Sequence, residues 1–227
     1  MKVTLSFEDS SSRDVSIMVD ALRASTTITL ALDKFNEIIP CFTPEEAFEL
    51  KEKHGGVTAG ERGGRQIEGF DIGNTPVGIR NLKTAEKTLI LTTSNGTRIL
   101  ENMSSKALVG SLVNAKAVAL KSIELATEHI DVVMAGRKGN FALEDFLASG
   151  EILYWICKNL NEYEITDYEK AAILASRDDE TVKEGFFTGA TGKRLIELNH
   201  EKDIECCLEK NTSENVAIYE DNVLRPI

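Results

Sequence analysis

The sequence predicts an α/β protein: a three-layer α/β/α arrangement in which a largely parallel or mixed sheet lies between two layers of helices. Short apolar runs rich in Val and Ile alternate with longer segments of helical periodicity. Several of these runs end in turns rich in Ser, Thr, Asn, Gly and charged residues, and a helix-like segment follows each turn. In sheets of this type ligands bind outside the carboxyl ends of the strands, so the active site is expected there.

Length and charge limit the possible functions. The 227 residues suffice for one α/β domain over residues 1–227, either as a single unit or as two lobes with the site between them. Hydrophobic residues make up 42% and charged residues 28%, as in ordinary soluble proteins. A net charge of -11 argues against a broad nucleic-acid or anionic-membrane surface, although it permits a local basic pocket.

Targeting and cysteine patterns indicate a cytoplasmic location. No apolar run approaches the length that crosses a bilayer, and the first residues alternate like a strand rather than forming a signal peptide. The four cysteines show no CxxC spacing, so they are interpreted as reduced, mostly structural thiols.

The first charged turn follows the run Val15–Val19. Asp20 ends this strand, and Arg23 lies at the start of the next helix. A carboxylate at the tip of a buried strand needs a partner or a metal ion. Two interpretations stay open. In one, Asp20 and Arg23 form a mutual ion pair. In the other, Asp20 binds a metal ion or acts as an acid or base, and the planar guanidinium group of Arg23 binds phosphate.

A second charged turn follows the run Val57–Gly60. Glu61, Arg62 and Arg65 surround a Gly-Gly pair that allows a ligand to approach the backbone closely. The following stretch, 67–76, has little periodicity and includes Asp71. Long irregular loops in compact domains are often functional, so a binding role is favoured over a surface excursion.

Two further turns lack charge. The run Thr88–Thr92 leads into Thr93, Ser94, Asn95, Gly96 and Thr97, and a later run ends at Ser111 and Asn114. Hydroxyls and free amides at helix starts suit an anion such as phosphate. For either turn taken alone, simple helix capping is the favoured explanation. The recurrence of similar turns with charged residues along the chain strengthens the case for an anion site.

The last charged turn follows the run Ile130–Ala135. Arg137 and Lys138 lie between two glycines, and a long helix begins near Phe141 with Glu144 and Asp145 in its early turns. The helix dipole alone accounts for early acids. The functional alternative is that one of the two faces the site and binds a metal ion. Beyond Asn161 the sequence predicts short helices, a closing strand and no clear site.

Taken together, these motifs resemble the 2-phosphosulfolactate phosphatase family. They occur in one order: VDALRASTT (19–27), AGERGG (59–64), GFDIGNTP (69–76), TTSNGT (92–97), GSLVNA (110–115) and AGRKGNFALEDFLASG (135–150). Each motif taken singly is weak, whereas six in register are specific.

The resemblance implies a Mg²⁺-dependent phosphatase that converts 2-phospho-3-sulfolactate into 3-sulfolactate and phosphate, a step of coenzyme M biosynthesis. It agrees with the three-layer α/β/α prediction. The candidate residues fall into three groups: catalytic Asp20, Arg23, Glu61 and Arg62; substrate-binding Arg65, Thr93, Ser94, Asn95, Gly96, Thr97, Ser111, Asn114, Arg137 and Lys138; and the Mg²⁺ ligands Asp20, Glu61, Asp71, Glu144 and Asp145.

Two mechanisms and three functions remain open. Water activated by the metal attacks the phosphorus, or Asp20 forms an aspartyl-phosphate. The protein hydrolyses phosphosulfolactate or another 2-phospho-hydroxyacid, or it only binds small anionic metabolites. The expected partner is a small anionic phosphate ester, with no nucleic acid and no membrane, and a homo-oligomer is left open.

Overall fold

A computed structural model of the chain describes residues 1–93 and 96–227, without the side chain of Thr97. The sequence prediction of an α/β fold with three layers and a mixed sheet is confirmed. The described strands are β1 (Lys2–Phe7), β2 (Val15–Val19), β3 (Glu37–Cys41), β4 (Val57–Arg62), β5 (Arg65–Gln66), β6 (Thr88–Thr92), β7 (Lys106–Val109), β8 (His129–Met134), β9 (Ala217–Glu220) and β10 (Val223–Pro226).

Helices connect most of these strands. They are α1 (Ala24–Ala31), α2 (Pro44–His54), α3 (Pro76–Asn81), α4 (Gly96–Asn102), α5 (Ala115–Leu125), α6 (Leu143–Asn159), α7 (Asp167–Ser176), α8 (Asp179–Thr188), α9 (Ala190–Glu197) and α10 (Glu201–Cys207). Local sequence explains several starts: Thr43 and Thr75 cap α2 and α3, and each is followed by a proline at the first helical position.

The sheet consists of two parallel groups joined by an antiparallel hairpin. Its strand order is β1-β8-β2-β7-β9-β10-β3-β6-β4-β5. Parallel pairing joins β1, β8, β2 and β7, and also joins β3, β6 and β4. The three pairings that β9 and β10 make between β7 and β3 are antiparallel.

This arrangement differs from a fully parallel sheet, in which the carboxyl ends of all strands lie at one edge. Three successive antiparallel steps make the second parallel group run opposite to the first. Gly96, just beyond β6, nevertheless lies beside Asp20, just beyond β2: a Cβ at Gly96 would lie 3.6 Å from an Asp20 carboxylate oxygen.

Two large apolar clusters stabilise the sheet. Alternate residues of β2 belong to different clusters: Ile17 and Val19 pack with Leu147 and Ile152 of α6, whereas Met18 packs with the cluster that includes α1. This division follows the period-two alternation of a strand covered on both faces. Among the described helices none is long and apolar enough to cross a membrane.

Candidate functional site

The tips of several strands and a C-terminal helix surround one cavity of about 240 Å³. This volume lies below the roughly 300–1,000 Å³ of pockets for drug-sized ligands, which suits a small metabolite. Its lining residues are Asp20, Leu22, Arg23, Glu61, Gly63, Gly64, Asn74, Thr93, Gly136, Arg137, Lys138, Glu144, Asp145, Thr191, Arg194 and Leu195.

Asp20 lies at the tip of β2 and is 9% exposed. Its amide donates to Ser25 Oγ at 2.9 Å, and its carbonyl accepts the Ser25 amide at 2.9 Å, so the chain turns tightly into α1. Burial raises the pKa of Asp20 to about 7, and the negative charges of Glu61 and Glu144 add to this effect. Asp20 can therefore gain or lose a proton near neutral pH.

Asp145 ties two strand tips together rather than pointing freely into the cavity. Its Oδ1 accepts the Ala21 amide at 2.8 Å, and its Oδ2 accepts the Gly136 amide at 2.9 Å. Burial and the adjacent carboxylates of Glu144 and Asp20 raise its pKa well above the usual value, although the two amides oppose the shift. Its position predicts a structural role at the site.

Glu144 and Glu61 bring two further carboxylates to the cavity. Glu144 is 2% exposed on the first turn of α6. Glu61, near the end of β4, accepts the Gly64 amide at 2.7 Å and so closes the tight Gly-Gly turn. Gly63 and Gly64 have φ of 61° and 86°, which side-chain-bearing residues rarely adopt.

Arg23 is buried at the cavity wall and held by a carboxylate that sequence reasoning missed. One terminal nitrogen donates to Asp203 at 2.5 Å, and the other donates to the Gly64 carbonyl at 3.1 Å. Asp203 is itself 2% exposed and accepts the Thr75 hydroxyl at 2.6 Å and the Val77 amide at 3.2 Å. The ion pair between Asp20 and Arg23, one of the two interpretations of this turn, is thus absent from the described residues, because Arg23 pairs with Asp203.

Three more cations line the cavity. Arg137 and Lys138 come from the turn after β8, where Lys138 and the flanking Gly136 and Gly139 have positive φ. Arg194 comes from α9, and its Nε approaches the Gly63 carbonyl at 3.4 Å. The cavity therefore brings positive side chains into an acidic protein, as a multiply charged anion requires.

The donor chemistry fits a magnesium ion. Asp20, Glu61, Glu144 and Asp145 line one small space, and the oxygen Oδ1 of Asn74 is buried there without a hydrogen-bond partner among the described residues. Among residues 1–93 and 96–227, no three His, Cys, Asp or Glu side chains form a ready-made metal cage. Mg²⁺ does not need one, since it commonly uses one or two carboxylates with waters and substrate phosphate.

Asp71, predicted as a metal ligand, lies outside the cavity lining. Its Oδ2 accepts from Lys51 Nζ at 2.6 Å, and from the amide and hydroxyl of Thr58, both at 2.8 Å. Thr58 is near the beginning of β4, whereas Glu61, which lines the cavity, is near its end. Asp71 therefore contacts the end of the strand that does not reach the cavity. Its role is to anchor the loop that precedes α3.

Ser111 and Asn114 are also absent from the cavity lining. Asn114 Oδ1 accepts the Ser111 amide at 2.9 Å, and Asn114 Nδ2 donates to the carbonyls of Val109 and Asn215 at 3.2 and 2.9 Å. Both residues are fully buried. The capping alternative explains this turn, because the Asn114 carboxamide closes it onto the Ser111 amide.

The remaining predicted residues lie outside the cavity lining, at the cavity, or outside the described residues. Arg62 is exposed and donates to the carbonyls of Glu61 and Phe42, and Arg65 is exposed in the two-residue strand β5; neither lines the cavity. Thr93 lines it, and Gly96 begins α4 beside Asp20. Ser94 and Asn95, and the side chain of Thr97, lie outside the described residues.

Four residues at the site escaped sequence reasoning: Asn74, Asp203, Thr191 and Arg194. Asn74 was visible within the polar loop 67–76, where the charged Asp71 was chosen instead. The other three belong to the C-terminal helices, whose sequence has helical periodicity but no strand-end turn to indicate a site.

The chain is similar to known proteins along almost its whole length. The family model described as 2-phosphosulpholactate phosphatase matches residues 3–222. A 2-phosphosulfolactate phosphatase of Methanothermobacter thermautotrophicus is 45% identical over 97% of this chain and 93% of its own length. Proteins named probable 2-phosphosulfolactate phosphatase are similar too: that of Clostridium acetobutylicum is 35% identical over 93% of this chain and 92% of its own, and that of Thermotoga petrophila is 37% identical over 91% and 89%. The chain belongs to the 2-phosphosulfolactate phosphatase family, a family of phosphoric monoester hydrolases.

Proposed function

We propose that the protein is a Mg²⁺-dependent phosphatase that hydrolyses 2-phospho-3-sulfolactate to 3-sulfolactate and phosphate, as a step of coenzyme M biosynthesis in the cytoplasm. Family membership supports the reaction class. The observation that favours it most is the cavity itself, where acidic Asp20, Glu61 and Glu144 adjoin basic Arg23, Arg137, Lys138 and Arg194.

The basic residues suit the substrate. A 2-phospho-3-sulfolactate molecule has phosphate, sulfonate and carboxylate groups, and each needs positive partners or hydrogen-bond donors. Arg23 uses two of its five N–H donors within the described residues, on Asp203 and Gly64, and it lines the cavity. Its remaining donors are available to a phosphoryl oxygen, which pairs well with a guanidinium group.

The acidic residues suit a phosphatase better than a simple anion receptor. Carboxylates repel an anionic ligand unless a cation lies between them. When bound, Mg²⁺ would polarise the phosphoryl group and favour ionisation of water. Asp20, Glu61 and Glu144 would hold it, with Asp145 fixing the tips of β2 and β8 beside them.

Asp20 is the proposed proton acceptor during water attack. The water oxygen bonds to phosphorus, its proton passes to the Asp20 carboxylate, and the bond between phosphorus and the ester oxygen breaks. The released alkoxide takes a proton from water or a neighbouring carboxylic acid and becomes the hydroxyl of 3-sulfolactate. Direct attack by Asp20 on phosphorus is the rival route, in which an aspartyl-phosphate forms and is then hydrolysed.

Phosphate release tests the proposal. The purified protein is assayed with 2-phospho-3-sulfolactate and with 2-phospholactate, each with Mg²⁺ and with EDTA. Mg²⁺-dependent release that is strongest with the sulfonate is expected. Equal release from both would assign the activity to 2-phospho-hydroxyacids in general, and tight binding without release would identify a binding protein. Near-wild-type turnover by Asp20→Asn would exclude both proposed routes.

A further inference from the structure

Asn74 is the unexplained polar group of the cavity. Its side chain is 4% exposed and lines the cavity. Its Oδ1 has no hydrogen-bond partner; among the buried side-chain nitrogen and oxygen atoms of the described residues, only the hydroxyls of Thr27 and Ser149 share this property. A buried carbonyl oxygen without a partner is destabilising, so such an atom at a ligand site indicates a partner that arrives with the ligand.

The backbone brings Asn74 to the side of Glu61. The segment before it runs along β4: the Ile72 amide donates to Thr58 at 3.1 Å, and the Gly60 amide donates to Ile72 at 3.2 Å. Ala59 and Ile72 form a parallel bridge. Asn74 follows this bridge by two residues, as Glu61 follows it on β4, and both residues line the cavity.

Neighbouring contacts fix this position firmly. Asp71, at the start of the segment, is anchored to Thr58 and Lys51. On the other side, Thr75 caps α3 and its hydroxyl donates to the buried Asp203. Asn74 is thus held on both sides while its own carboxamide oxygen is left for a ligand, which is typical of a preorganised binding residue.

The chemistry of an acceptor oxygen narrows the choice of partner. Phosphate, sulfonate and carboxylate groups near neutral pH offer mainly acceptors, so the anionic substrate cannot satisfy Oδ1. A divalent cation can, since amide carbonyls are among the hard oxygen ligands of such ions. The cavity already contains the carboxylates of Asp20, Glu61 and Glu144, to which a neutral oxygen adds a ligand without adding repulsion.

We propose that Asn74 binds a divalent cation through Oδ1 in this cavity, beside Asp20 and Glu61. This assignment rests on the proposed Mg²⁺ requirement and adds to it a ligand that is neither acidic nor basic. It also gives a function to the polar loop 67–76: Asp71 anchors the loop at the start of β4, and Asn74 meets the metal at the end of that strand.

Mn²⁺ binding to the full-length protein without substrate tests this assignment. Isothermal titration calorimetry is performed on the wild type, Asn74→Leu, Asn74→Asp and the control Glu68→Gln, an exposed position of the same loop, with folding of each checked by its melting temperature. Asn74→Leu is expected to weaken Mn²⁺ binding roughly tenfold or more. Asn74→Asp keeps an oxygen at the same place and is expected to bind as tightly as the wild type or more tightly. Glu68→Gln is expected to bind normally, because Glu68 is exposed and does not line the cavity.

Three results would overturn the assignment. Unchanged Mn²⁺ affinity in Asn74→Leu would exclude Asn74 as a ligand while leaving the proposed function intact. Equal loss in Asn74→Asp and Asn74→Leu would show that the amide nitrogen, which only Asn possesses, is the group that matters. No Mn²⁺ binding by the folded wild type would overturn both the metal requirement and the role of Asn74.

Discussion

Asp203 shows how one buried residue can organise a site that it does not line. Its two oxygens receive Arg23, the Thr75 hydroxyl and the Val77 amide, so one carboxylate orients the cavity arginine and the loop that presents Asn74. The side chains of both Arg23 and Asp203 are 3% exposed. Such a pair specifies geometry strongly, because loss of either partner leaves a buried charge uncompensated.

We therefore predict that Asp203→Asn impairs the enzyme through Arg23. A neutral amide of the same shape no longer fixes the guanidinium, and a displacement of about 1 Å at a site lowers kcat/KM roughly 100-fold. We expect mainly a higher KM, because Arg23 is proposed to bind the substrate. Steady-state kinetics of phosphate release and inhibition by inorganic phosphate would measure it.

A matched control lies at the same junction of α3 and α10. Arg80 donates to both oxygens of Glu209 at 2.9 and 2.7 Å, and both side chains are about 40% exposed, at 42% and 38%. Glu209→Gln should therefore cost less than about 1 kcal/mol of stability and leave KM unchanged. An equal rise of KM in both variants would show that loose docking of α10, rather than the position of Arg23, is responsible.

At the scale of elements, α6 positions the acidic side of the site. Glu144 and Asp145 occupy its first turn, and the rest of the helix packs on the sheet and against α7. Gly150 marks the closest approach: a Cβ there would lie 2.0 Å from the Ala172 carbonyl oxygen of α7. The glycine at the end of the motif 135–150 is thus required by helix packing and not by a ligand.

We predict that Gly150→Ala destabilises the protein by about 3 kcal/mol, although alanine favours a helix more than glycine does. The added methyl group must push α7 away or displace α6, with Glu144 on it. Thermal unfolding with circular dichroism would measure the loss.

The neighbouring substitution Ser149→Ala is the control. The Ser149 hydroxyl is buried without a hydrogen-bond partner, so its removal should leave stability unchanged or raise it by about 1 kcal/mol. A Gly150→Ala variant as stable as the wild type would contradict the close packing of α6 on α7.

Periodicity and turn chemistry predicted the elements well, but they did not predict the assembly of those elements. The α/β class, the strand-end turns and the cavity positions of Asp20, Glu61, Arg137 and Glu144 could all be anticipated, because a short apolar run followed by Gly and charge is a local signal. Asp203 and Arg194 could not, since their roles depend on contacts with Arg23 and Gly63 that lie far away in sequence. For the same reason the cap at Ser111 and Asn114 was indistinguishable from an anion site.

At the scale of the whole molecule, stability depends on buried and half-buried carboxylates that tie distant segments together. Asp14, just before β2, accepts through Oδ2 from the amides of Thr127, Glu128 and His129 at 2.7, 2.8 and 3.1 Å. Its slight burial acts to raise the pKa, but these hydrogen bonds outweigh burial and lower the pKa from 3.8 to about 2. The folded protein therefore binds this proton more weakly than the unfolded chain.

This difference fixes the direction of a pH effect. A lowered pKa contributes stability above pH 3.8, and that contribution disappears as the pH falls toward 2. We predict that Asp14→Asn lowers the free energy of unfolding at pH 7 and reduces its decline between these two pH values. Urea unfolding over this range would measure both effects.

Asp167→Asn is the control, because its side chain is fully exposed, at 101%, in the first turn of α7. Asp167→Asn should change neither the free energy of unfolding at pH 7 nor its decline between pH 3.8 and 2. If the free energy of unfolding of Asp14→Asn falls with pH as steeply as that of the wild type, the three amides do not stabilise the charged carboxylate.

The hairpin of β9 and β10 lies in the middle of the sheet, yet it follows every other strand in the chain. Because a protein is synthesised from its amino end, eight strands exist before the two that join them. Until then β7 and β3 each present an unpaired edge, the kind of surface at which chains aggregate. A nascent chain that ends before residue 217 therefore lacks the hairpin that pairs with both of these edges.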